Sequence, residues 1–139
     1  MKHTFIYIDK LVYIMKHLPH YRIKGSADKE RINRILNHME EYIHIINTLI
    51  TCHRTKKYLS RLENESNRHV SDLANKTETA LNKMEKLLSN IESDIPKVRH
   101  VVENYPFNAD MWQDAVTEMA LGAYIAGLHN EEDEFAELR

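Results

Sequence analysis

The sequence predicts an all-α protein, a long helical hairpin or small helical bundle with coiled-coil-like packing. Three observations carry that reading. The 139 residues include only three Gly and three Pro, too few for a turn-rich β fold. No Gly or Pro interrupts the segment between Gly25 and Pro96. Within it, apolar residues recur at the three-and-four spacing of an amphipathic helix.

The N-terminal part, residues 1–25, places Ile8, Leu11, Val12 and Met15 at helical spacing over 4–18. Phe5-Ile6-Tyr7-Ile8 would also serve as a short strand. Pro19 closes the element, because the residue before proline avoids the α region. Ser26 is the expected N-cap of the next helix, with Asp28 and Glu30 complementing the dipole. A first apolar stripe runs through Ile32, Ile35, Leu36, Met39, Tyr42, Ile43, Ile46, Leu49 and Ile50. A second runs through Leu59, Leu62, Val70, Leu73, Thr77, Ala80, Leu81, Met84, Leu87, Leu88, Ile91 and Ile95.

On one unbroken helix these stripes would point in opposite directions, at about 100° per residue. The sequence therefore predicts a hairpin, with one continuous helix serving two interfaces as the alternative. The polar run Glu63-Asn64-Glu65-Ser66-Asn67 marks the turn by composition, whereas the change of phase places it near Arg54–Lys57. Pro96 is expected to end the second long helix, with Asp94 capping a short restart that reaches Asn104. Asn108 or Asp110 then caps a C-terminal helix to about Leu128, burying Trp112, Val116, Met119, Ala123 and Ala126. Residues 1–139 thus read as a single helical domain: an N-terminal segment 1–25, long helices over 26–104 with a turn in 53–69, and a C-terminal helix with an acidic tail over 105–139.

Net charge is −2, but the charge is unevenly placed. Residues 1–25 hold five Lys/Arg against Asp9, and residues 53–69 hold five against two acids. Residues 103–139 hold nine acids against Arg139. The acidic end supplies a candidate partner-binding surface: Asp110, Asp114, Glu118, Glu131, Glu132, Asp133, Glu134 and Phe135. An acidic segment with an apolar edge is suited to a basic protein surface, where complementary charge steers association. The middle supplies a second candidate, a nucleic-acid patch of Arg54, Lys56, Lys57, Arg61 and Arg68, since clustered cations bind phosphates in a salt-dependent manner.

Chemistry-bearing motifs are sparse. Glu41-x-x-His44 is half of a di-iron pattern, but such sites need two pairs and further carboxylates. A helical wheel groups it with Asn37, Thr48 and Thr51 as a solvated face, so no metal and no cofactor are expected. The single cysteine, Cys52, excludes an intrachain disulfide. Its neighbour His53 points about 100° away on a helix, too far round to be its base. No Gly-rich phosphate cradle and no nucleophile elbow is present.

The unpaired thiol, the absence of a cleavable leader pattern and the lack of a membrane-length apolar run point to a cytoplasmic chain. The expected function is non-enzymatic: a helical interaction module or small regulator that binds a basic partner surface through its acidic end, with a second copy of the chain as a further expected partner. Nucleic-acid binding through residues 53–68 is the alternative.

Overall fold

A computed structural model describes residues 2–63, 68–104 and 109–120. Among them are four α-helices and no strand: α1 Lys2–His17, α2 Ser26–Glu63, α3 Arg68–Asn104 and α4 Ala109–Ala120, with a 3-10 turn at Leu18–His20 after α1. Phe5, Ile6, Tyr7 and Ile8 lie in α1, not in a strand.

Each helix packs on the next, α1 on α2, α2 on α3 and α3 on α4. The ring is closed by α4 meeting the 3-10 turn and α1. This cyclic order is that of an up-down-up-down bundle. The buried residues follow from helical periodicity. Helix α2 contributes Ile32, Leu36, Met39, Ile43, Ile46 and Ile50, and α3 contributes Leu81, Met84, Leu88, Ile91, Ile95, Val98 and Val102. Both series alternate steps of three and four, the spacing that sets knobs into holes between paired helices. Helix α1 adds Phe5, Ile8, Leu11, Val12 and Met15, and α4 adds Trp112, Val116 and Met119, all in one core. Fully burying each aliphatic side chain contributes about 1.5–3 kcal/mol.

Three expectations are corrected. The chain does not turn near Arg54–Lys57, because α2 runs unbroken to Glu63. Helix α2 is described to Glu63 and α3 from Arg68; residues 64–67 of the polar run lie outside the described residues. Leu59 and Leu62, the first residues of the second stripe, lie in α2, so the change of phase falls inside a helix and does not mark its end. Helix α3 does not end at Pro96 either; it continues through the proline to Asn104. Ile91, Ile95, Val98 and Val102 hold one buried stripe across that point. Packing on both sides offsets the hydrogen bond that proline cannot donate.

The third correction concerns the start of α2. Ser26 is its first helical residue, and the carbonyl of Gly25 accepts from the N–H groups of Asp28 (3.1 Å) and Lys29 (3.4 Å). Gly25 therefore occupies the cap. Asp28 Oδ2 in turn accepts from the Lys24 N–H at 2.8 Å, much as an acid in a capping box reaches back past the helix start.

Helix α2 is 38 residues long, and α1 is 16. At 1.5 Å per residue α2 spans about 57 Å and α1 about 24 Å. The two meet at Tyr7 and Tyr42, whose ring centroids are 5.7 Å apart, so α2 continues well past the first residue of α1. Ala123 and Ala126, expected on the buried face of a longer C-terminal helix, lie outside the described residues.

Candidate interaction surfaces

The packing of α4 decides where its charge goes. Trp112, Val116 and Met119 are buried against the core, so residues on the other side of the helix face outward. Asp110, Asp114 and Glu118 recur every fourth position there, and all three are exposed. They form an acidic stripe on a helix anchored by a buried tryptophan. Lys97 meets one end of this stripe, with its Nζ 3.3 Å from Asp94 Oδ1 and 3.9 Å from Glu118 Oε1. Among the described residues, Asp110 and Asp114 have no ion-pair partner. Glu131, Glu132, Asp133, Glu134 and Phe135 lie outside the described residues.

The basic patch is arranged differently. Arg54 turns toward α3: its Nε lies 2.7 Å from Glu78 Oε1, its Nη2 donates to Asn82 Oδ1 at 2.6 Å, and its Nη1 donates to Glu85. Its side chain is only 25 % exposed. Two carboxylates thus neutralise it within the chain. Lys56 is exposed. Lys57 and Arg61 fall in α2 and Arg68 opens α3; their side chains lie outside the described residues. The sequence could not show the fate of Arg54, since its partners lie 24 to 31 residues ahead and meet it only across the hairpin.

Glu41 and His44 sit with Asn37, Thr48 and Thr51 on an exposed face of α2. The Thr48 hydroxyl donates to the His44 carbonyl, and the Thr51 hydroxyl to that of Asn47, each at 3.0 Å. Among the described residues no three His, Cys, Asp or Glu side chains come together to hold a metal ion. Cys52 is exposed.

The structure also brings together residues that sequence reasoning passed over. Tyr7, Tyr13, Tyr21 and Tyr42, four of the seven tyrosines, line the seam between α1 and α2. Lys10 Nζ lies 5.2 Å from the Tyr7 ring centre and 5.6 Å from that of Tyr42. The Arg31 guanidinium lies at the hydroxyl edge of Tyr21 and donates to that hydroxyl at 2.6 Å. The concentration of tyrosine in the first 42 residues was the available signal, but it acquires meaning only when α1 folds back along α2.

Compared with protein-family models, curated proteins and solved structures, the chain finds no match in any of the three. No helix among the described residues is long and apolar enough to cross a membrane.

Proposed function

We propose that the protein is a non-enzymatic helical interaction module that binds a basic surface of a partner protein through its acidic C-terminal part. One observation carries this reading: Asp110, Asp114 and Glu118 stand in line on the outer face of α4 while its inner face is buried in the bundle. A rigid helix presenting spaced carboxylates steers a cationic partner and loses little conformational freedom on docking. A small regulator that occludes a partner's nucleic-acid-binding surface fits this charge pattern. The cytoplasm, where the lone Cys52 stays reduced, is the proposed compartment, and self-association would add a second copy to the complex.

The test is affinity capture from the native host with wild-type protein and with a variant carrying Asp110→Lys, Asp114→Lys and Glu118→Lys. A basic protein retained by the wild type should be lost by the variant, with helicity unchanged by circular dichroism. Equal retention by both at low salt overturns the proposal. Adding Lys56→Ala, Lys57→Ala and Arg61→Ala in a mobility-shift series tests the nucleic-acid alternative through residues 53–68. Loss of a salt-sensitive shift in that variant would favour the alternative.

A further inference from the structure

We infer that the seam between α1 and α2 is a binding surface for single-stranded nucleic acid. A shallow, open depression of about 410 Å³ lies along it, lined by Asp9, Lys10, Tyr13, Ile14 and Tyr42. Tyr13 stands at its rim with 63 % of its surface exposed. One face of Tyr13 is already occupied: His17 stacks on it at 4.1 Å between centroids and 20° between planes. The His17 Nδ1–H donates to the Tyr13 carbonyl at 3.0 Å, which fixes that imidazole. The pair is thus a preformed stack with a free outer face, the arrangement on which an unpaired base adds a further layer.

Lys10 lines the depression, and Lys16 is exposed three residues from Tyr13. Among the described residues, neither forms an ion pair. Over residues 9–41 of the two helices and their connector, the acids in sequence reach are Asp9, Asp28, Glu30, Glu40 and Glu41. Glu40 is paired with Arg99 of α3, Asp28 accepts from the Lys24 N–H, and Glu41 lies 3.7 Å from His38; Asp9 lines the depression beside Lys10. From Tyr42 to Arg31 the seam covers about 16 Å of helix axis, room for a few nucleotides of an extended strand.

Single strands are favoured over duplex because a stacking platform needs a base already out of its stack. They are favoured over an acidic peptide because the cations here are interleaved with ring faces. This inference does not rest on the acidic surface of α4, and either can fail without the other.

Fluorescence anisotropy of the full chain with labelled oligothymidylate and oligouridylate tests it, with a duplex, polyglutamate and phosphatidylserine vesicles as comparators. Both single strands should bind at about 50 mM salt and weaken steeply as salt rises. Tyr13→Ala should reduce affinity roughly 5-fold or more, and Tyr13→Trp should retain it, because stacking needs a ring and not a hydroxyl. Lys10→Glu with Lys16→Glu, both at exposed positions, should weaken binding and flatten its salt dependence by about 0.7 in logarithmic slope for each phosphate no longer neutralised. Absence of binding at low salt, unchanged affinity of Tyr13→Ala, or equal affinity for duplex, polyglutamate or the vesicles would each overturn the inference.

Discussion

The two seams flanking α2 treat positive charge in opposite ways. Between α2 and α3, arginines meet carboxylates and amides from the facing helix: Arg54 of α2 reaches Glu78, Asn82 and Glu85, and Arg99 of α3 reaches Asn37 and Glu40 at 2.7 and 2.6 Å. The two clamps run in opposite directions across the interface. Between α1 and α2, cations meet tyrosines: Lys10 over Tyr7 and Tyr42, and Arg31 at the hydroxyl of Tyr21. A cation held by carboxylates loses its outward field, whereas one held by an aromatic face keeps its full charge. The first seam therefore serves cohesion, and the second remains available to an anionic ligand. Counting Lys and Arg along the sequence cannot make this distinction.

The comparison can be broken first at the apolar floor that supports both seams. Ile46 is fully buried in the shared core. Ile46→Ala should lower stability by about 2–5 kcal/mol, read by urea unfolding, and a value below about 1 kcal/mol would show that the floor is not close-packed. Next comes the α2–α3 clamp. Arg54→Ala removes charge-assisted hydrogen bonds and leaves Glu85 half-buried without its partner, so a loss of about 1–3 kcal/mol is expected. A double-mutant cycle with Glu85→Gln should return a positive coupling energy; additive single effects would place Arg54 outside the clamp.

The ring seam should respond far less. Lys10→Ala is expected to cost about 0.5–1 kcal/mol through its two cation–π contacts, and thermal melts that separate it from Arg54→Ala sharpen the contrast between the seams. The smallest effect is at the cap of α2. A Cβ added to Gly25 meets nothing within 4 Å, and no glycine among the described residues has a positive φ. Gly25→Ser should therefore raise stability by a few tenths of a kcal/mol. A fall in melting temperature would mean that the connector uses the glycine in some other way.

The helices were legible in the sequence because a three-and-four repeat of apolar residues is a local property. Ile32 through Ile50 and Leu81 through Ile95 announced their inner faces without knowledge of their partners. What stayed hidden depended on pairing between elements. Pro96 read as a stop, because local geometry says so, and only the continued burial of Val98 and Val102 against the bundle carries the helix past it. Arg54 read as a free cation because Glu78 and Glu85 lie in another helix. On α4 the stripe Asp110, Asp114 and Glu118 was half visible: the charges are in the sequence, but their shared outward direction follows from burial of Trp112 on the other side.

The cyclic order of the helices has a kinetic consequence. Among the described residues, most packing joins helices that follow one another in the chain, and the meeting of α4 with α1 and the 3-10 turn joins the segments furthest apart. Loop-closure entropy is therefore modest for most of the structure, a topology associated with folding in microseconds to milliseconds. The α2–α3 hairpin can zip from its connected end before α1 and α4 dock, and closure of the ring would then be the slow, committing event.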